Sequence, residues 1–189
     1  VAFNVMYLST WKDHPKMINC LEDLDGVVDY FYLVDSFGAV YPDYVKEIIH
    51  LVRSKTKIKI GFHGHNNLEL ALANTLTAIE NGIDIIDATF TGMGRGAGNL
   101  KTELLLTVLN KKNGLDVDFN SLSNVTSEFF RIQDKYKWGT SLPYMVSGAN
   151  SLPQKQVMDW VSKRIYSLNS IVRALSNQSK KIKDNNKFS

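Results

Sequence analysis

A single cysteine among 189 residues, Cys20, excludes an intramolecular disulfide and any metal site built on a cysteine cluster. It fits a reducing compartment, and because it lies in a helical pattern away from any strand end it is expected in the core. No apolar run approaches the ~20 residues that span a bilayer, and the first residues show neither the basic start nor the apolar stretch of a signal peptide. A charge excess of one sign is missing where a ligand would read it. The net charge of +3 resides in residues 176–189, where Lys180, Lys181, Lys183 and Lys187 face Asp184 alone. The rest of the chain is neutral, so no basic groove is foreseen. The expectation is a cytoplasmic protein that engages neither nucleic acid nor membrane. Hydrophobic residues, at 44%, suffice for a core and exclude disorder of the whole chain. The chain opens on Val1 and residues 1–8 already read as a buried strand, which suggests a piece of something longer.

Four times an apolar, β-branched or aromatic run precedes a helical pattern: residues 2–9, 30–36, 58–65 and 83–91. That succession predicts an α/β fold of βα repeats with a parallel sheet. The runs start 28, 28 and 25 residues apart, the length of a strand, a crossover helix and two loops. Helices are predicted over 15–24, with Met17, Ile18 and Leu21 apolar, and over 43–54, where Val45, Ile48, Ile49 and Val52 form one stripe. Two more are predicted over 68–81, with Leu72, Leu76 and Ile79 as the stripe and Gly82 as the stop, and over 100–109. Beyond Gly114 the rhythm ceases. Helical patterns recur over 121–136 and over 154–176, where Val157, Val161, Ile165, Leu168 and Val172 align, and residues 138–153 form a Gly- and Pro-punctuated link. The expected division is a βα region over 1–114, a helical region over 115–178 and a disordered basic tail over 179–189.

The most informative motif is Gly61-Phe-His-Gly-His-Asn-Asn67, at the end of the third run. Alternation along a strand sends Ile58, Ile60 and Phe62 to one face and Lys59, Gly61, His63 and His65 to the other. Two imidazoles on one face can reach one divalent cation at ~2.1 Å. The plain alternative is one core histidine and one loop histidine. Position favours a site, since parallel α/β proteins gather ligands at the carboxyl ends of strands. A second motif, Gly92-Met-Gly-Arg-Gly-Ala-Gly-Asn99, follows the fourth run and leads into a helix. Its glycines let backbone approach a ligand and a helix N-terminus favours an anion, although a loop built for tight turns alone would look the same. No Gly-Lys-Ser/Thr closes it, so it is not a Walker A loop. Asp35 lies at the end of the second run and Asp87 in the fourth, and either could ligate a metal, orient a histidine or hold the strand ends together; structural hydrogen bonding is the favoured role. Packing accounts for Tyr30, Phe31 and Tyr32.

Taken in order, Val34-Asp-Ser-Phe-Gly38, Gly61-Phe-His-Gly-His-Asn-Asn-Leu68, Ala71-Leu-Ala-Asn74, Glu80-Asn-Gly82 and the glycine loop through Asn99 resemble the DRE-TIM metallolyase superfamily. Within it the likeness is greatest to the 4-hydroxy-2-oxovalerate aldolases. The resemblance implies a (β/α)8 barrel with a divalent cation, manganese or magnesium, at its C-terminal face. His63 and His65 would be paired ligands, Asn99 would complete or support the coordination, and Gly94 and Arg95 would contact the substrate. Tyr144, spaced from Gly139 as in the aldolases, would be a proton donor. The implied reaction cleaves a 4-hydroxy-2-oxo acid to pyruvate and an aldehyde, the cation polarising the oxygens of the 2-oxo acid.

Asn66 stands where close aldolases carry a third histidine, which leaves the substrate side chain open. The glycine loop is short and lacks cysteine, which disfavours hydroxymethylglutaryl-CoA lyase activity. A complete barrel needs ~250 residues, and the four units resemble its fifth to eighth strands. The aspartate ligand and substrate-clamping arginine of the family's first strand have no counterpart. The chain is therefore expected to be inactive alone and to pair with a complementary N-terminal half-barrel or with itself. Competing readings are a Claisen-type acyl-CoA synthase of the isopropylmalate synthase kind and a non-catalytic α/β module.

Overall fold

Alternating side chains build the sheet. In a computed structural model, which describes residues 1–13 and 15–185, β1 (Ala2–Val5), β2 (Tyr30–Asp35), β3 (Lys59–Gly64) and β4 (Ile85–Ile86) lie in that order, all parallel. The register sets Tyr30 between Ala2 and Lys59, His63 beside Val34, and Phe62 beside Ile86. Phe31, Leu33, Ile60 and Phe62 are buried against the helices, while the odd residues of β3 face the other way.

The helix layer comprises α1 (Pro15–Asn19), α2 (Pro42–Lys55), α3 (Ala71–Glu80) and α4 (Thr102–Asn113). In α2, Pro42 starts the first turn with its missing N–H where none is needed, and Asp43 and Lys55 suit the helix dipole at either end. Val45, Ile48, Ile49 and Val52 are all buried, as their spacing predicts. Each such side chain contributes about 1.5–3 kcal/mol of burial. Ile49→Ala would cost about 2–5 kcal/mol, because the cavity left in the main cluster cannot fully collapse.

The helical region holds α5 (Phe119–Tyr136), α6 (Leu142–Ala149), α7 (Gln154–Lys163) and α8 (Leu168–Asn185). Asp118 caps α5 by accepting from the backbone N–H of Asn120 and Ser121. Trp138 anchors this region to the loop after β4 by donating from Nε1 to the Thr91 carbonyl at 3.0 Å. The Gly139 N–H adds a bond to the Gly96 carbonyl at 2.9 Å.

Several expectations change here. The helix predicted over 15–24 is a short α1 followed by a 3-10 turn over Glu22–Leu24, and Cys20 is exposed instead of core. The side chain of Met17 lies outside the described residues. In α3 the small residues Ala71, Asn74, Thr75 and Ala78 are the buried face, and Leu72 and Ile79 pack sideways against Leu100 and Leu105. Ala71 meets β3 at Gly64, where an added Cβ would lie 3.6 Å from the Ala71 Cα. The helix predicted over 154–176 is two: Arg164 is left-handed (φ 53°), and Ser167 starts the next by accepting from Ser170 N–H. Ile165 and Leu168 are thereby exposed, and Val157, Ile171 and Leu175 carry the packing. The link over 138–153 contains α6. Where a structureless tail is expected, α8 continues to Asn185, and Ser179 is buried against α6 with a 2.5 Å bond to Asn150. Residues 186–189 of that expected tail lie outside the described residues. Among the described residues no helix is long and apolar enough to cross a membrane.

Candidate active site

The site sits at the carboxyl ends of β2, β3 and β4. His63 and His65 emerge from the same face of β3 and its end, with ring centroids 5.0 Å apart. Each ring has its Nδ1 tied back. His63 Nδ1 lies 3.0 Å from Asp87 Oδ2, and His65 Nδ1 lies 3.0 Å from the Asp35 carbonyl. A ring whose Nδ1–H is held this way presents the Nε2 lone pair outward, the arrangement found in metal-ligating histidines. Burial, reinforced by the charges of His63 and Arg95, pushes the His65 imidazole down to about 4, so it is neutral at pH 7.

The glycine loop folds back over these histidines. His65 bridges to Asn99, the Gly98 carbonyl accepts from Asn66 N–H at 2.9 Å, and Leu100 N–H donates to the Gly64 carbonyl at 3.2 Å. Asn99 Nδ2 is used by the Met93 carbonyl at 3.0 Å, while Asn99 Oδ1 is buried with no hydrogen-bond partner. A buried orphan oxygen costs about 1–3 kcal/mol unless something meets it. Imidazole nitrogens and an amide oxygen are donors of the kind a divalent cation accepts, and His65 and Asn99 are bridge partners beside His63. Among the described residues no group of three or more His, Cys, Asp and Glu side chains could hold a metal.

Gly94 and Gly98 are among the glycines required by contact. A Cβ on Gly94 would come within 2.7 Å of the Asn99 amide, and one on Gly98, where φ is +81°, would collide with the Gly92 carbonyl. Gly94 thus makes room for Asn99. Arg95 donates to the Ser36 carbonyl at 3.0 Å, which brings it to the end of β2, and its charge reaches His65. The helix after the loop is no anion site: α4 begins at Thr102, and Glu103 in its first turn accepts from Thr91 N–H at 3.0 Å.

Tyr144 is placed elsewhere. It is buried among Ala97, Leu152, Val157 and Leu175, with its ring under Gly96, and burial pushes its phenol above the usual range. The half-open cavity it lines includes Gly94 and Arg95 but neither histidine. His63, His65, Asn99 and Arg95 are therefore brought together, and Tyr144 lies under Gly96, where it shares a cavity with Gly94 and Arg95.

Asp35 and Asp87 have separate roles. The Asp35 side chain is fully buried and accepts from Ala39 and Val40 N–H at 3.1 and 3.3 Å, holding the turn after β2, while burial pushes its carboxyl up to about 6. Asp87 holds His63 and also accepts from the Tyr32 hydroxyl at 3.3 Å. Burial, then the charge of Asp87, raises the Tyr32 phenol. Tyr32 was readable in the sequence only as strand packing. Its polar role needs the strand order.

The parallel βα sheet makes this an α/β domain of TIM-barrel-like fold, with the candidate site at the C-terminal ends of its strands. The chain belongs to the HMGL-like family, whose model matches residues 12–128. It is 48% identical over 98 residues to a 4-hydroxy-2-oxovalerate aldolase of Bacillus thuringiensis (strain Al Hakam), a match covering 51% of this chain and 29% of that protein. A 4-hydroxy-2-oxovalerate aldolase of Geobacillus thermodenitrificans is 49% identical over 120 residues, 61% of this chain and 35% of its own length. The crystal structure of the N-terminal domain of a putative aldolase from Bacteroides vulgatus superimposes with a TM-score of 0.84 at 57% identity, over 92% of this chain and 57% of that one. The carboxyl transferase domain of Rhizobium etli pyruvate carboxylase with pyruvate shares the fold alone, at a TM-score of 0.65 and 18% identity over 86% of this chain and 29% of its own. The chain thus spans about a third of the length of the curated relatives it matches, and more than half of the Bacteroides domain.

Proposed function

We propose that this chain contributes the fifth to eighth βα units of a divalent-metal-dependent aldolase that cleaves a 4-hydroxy-2-oxo acid to pyruvate and an aldehyde. The observation that carries the reading is the donor set itself: His63 and His65 with Nδ1 tied back, and Asn99 Oδ1 buried without a partner. His63, His65 and Asn99 would hold the cation. When bound, a cation of the manganese or magnesium kind supplies charge stabilisation to the keto oxygen of a 2-oxo acid.

Arg95, held to the Ser36 carbonyl beside His65, offers a cationic donor to the substrate carboxylate. Gly94 keeps the loop backbone close to that position. Tyr144, whose ring lies under Gly96 in the cavity that Gly94 and Arg95 also line, would act as proton donor. The names of the relatives support an aldolase over an acyl-CoA synthase or a non-catalytic module. The base for the 4-hydroxyl and the remaining ligand would come from a complementary N-terminal half-barrel.

The test is metal content and pyruvate release. His63→Ala/His65→Ala should lose bound manganese after dialysis while unfolding in urea like the parent chain. Pyruvate release from 4-hydroxy-2-oxo acids should be absent from the chain alone and appear when the complementary half is added. Unchanged metal in the double variant, or acetyl-CoA consumption in place of pyruvate release, would sink the assignment.

A further inference from the structure

We propose that Asp87 is a positioning residue that determines which nitrogen of His63 carries the proton, and that Tyr32 holds Asp87 to this task. The three side chains come from adjacent strands. Tyr32 lies on β2, His63 on β3, and Asp87 directly follows β4, where its own N–H is fixed to the Phe62 carbonyl at 3.2 Å. Asp87 Oδ2 is 3.0 Å from His63 Nδ1, and Asp87 Oδ1 accepts from the Tyr32 hydroxyl at 3.3 Å. An ionised carboxylate only accepts hydrogen bonds, so a neutral His63 facing it must carry its hydrogen on Nδ1.

This chain of contacts spans the sheet because Gly61, the register partner of Tyr32, has no side chain. A Cβ there would come within 2.5 Å of the Tyr32 ring. Glycine in mid-strand weakens a strand, and a close approach by another group is the usual reason for one. Gly61 lets the phenol lie across β3 and reach Asp87 on the far side.

His65 provides the contrast. Its Nδ1 is held by the main-chain carbonyl of Asp35, which no side-chain substitution removes. The two imidazoles therefore have independent determinants, one of side chain and one of backbone. Replacing Asp87 should change His63 alone, with His65 in the same molecule as the internal control.

The role bears on metal binding only if the reading under Proposed function holds, and the experiment separates the two. Histidine-labelled 189-residue protein, stripped of metal with chelator, is examined by long-range proton–nitrogen correlation, which reads the tautomer of each ring. Both rings should be Nδ1–H in the parent chain. In Asp87→Ala, His63 should move to the Nε2–H form preferred by an unconstrained imidazole, while His65 stays. Manganese affinity should then fall ~10–100-fold, the usual effect of losing the partner behind a ligating histidine. In Tyr32→Phe the His63 tautomer should persist and the affinity loss should be smaller. Parent protein with His63 already in the Nε2–H form overturns the proposal whether or not a variant folds, as does an unmoved His63 in Asp87→Ala. A tautomer that moves with manganese affinity unchanged supports the positioning role and overturns the metal reading instead.

Discussion

Asn67 and Gln154 meet over 2.9 Å, although they are 87 residues apart in the chain, and that contact joins the loop after β3 to the start of α7. Asn67 Nδ2 also donates to the Tyr144 carbonyl at 3.0 Å, and Gln154 continues to Ser147 and the Leu152 carbonyl. All of this is buried, so every member depends on the others. Asn67→Ala should cost about 2–3 kcal/mol in urea unfolding, because it leaves the Tyr144 carbonyl without that donor. A loss below half that size would mean that water replaces the amide.

Glycine loop positions should separate by contact and not by dihedral alone. Gly98 (φ +81°) has the Gly92 carbonyl in the path of a Cβ, whereas Gly114 (φ +69°) has open space around it. Gly114→Ala should cost about 1–2 kcal/mol, the left-handed penalty. Gly98→Ala adds the clash and should cost about 2–4 kcal/mol while displacing Asn99. Equal unfolding midpoints for the two variants would rule out the steric account.

Arg53 ties α2 to the start of β3 through the Ile58 carbonyl at 3.2 Å, and to the loop before β4 through the Gly82 carbonyl at 2.9 Å and an ion pair with Asp84. Burial raises the Asp84 carboxyl, but hydrogen bonds from Ile60 N–H and Arg53, with the Arg53 charge, outweigh it and leave it below the usual range. A lowered folded value means stability present above the unfolded pKa of 3.8 and lost as pH falls through the folded one. Arg53→Ala should therefore cost about 1–2 kcal/mol at pH 7, discounted for partial exposure, and the difference from the parent chain should shrink in acid. Urea titrations at several pH values check this; a gap that widens on acidification would reverse the sign.

β1 and β4 are the outer strands of the sheet. On β1, Phe3 is 45% exposed and stacks on Phe31 next to a cavity of about 290 Å³ lined by Val5, Trp11, Leu21 and Leu24. An open edge next to an apolar hollow invites another chain. Sedimentation should show concentration-dependent self-association, reduced by Phe3→Lys or by adding the complementary half. A single monomer species at all concentrations would mean that the edge is protected in another way.

Much of the fold was legible in the residues themselves. Period-two alternation placed His63 and His65 on one face, period-3.6 spacing identified the buried stripe of α2, and the repeated run-then-helix order required parallel strands. These are local properties, set by backbone geometry within a few residues. The helical region was less legible: the stripe over 154–176 is continuous in sequence, but a left-handed Arg164 and the Ser167 cap divide it.

What only the tertiary structure decided is which groups stand behind the site. Asp35 and Asp87 are chemically alike and both end strands, so their sequence context cannot separate a turn-holding carboxylate from one that orients a histidine. Strand order and register do: they set Tyr32, His63 and Asp87 side by side across three strands and leave Asp35 beneath the turn to Val40. The same holds for Asn67 with Gln154 and Arg95 with Ser36, whose partners lie far along the chain. Local spacing determines the face a side chain occupies, and only the packing of distant segments determines what it meets there.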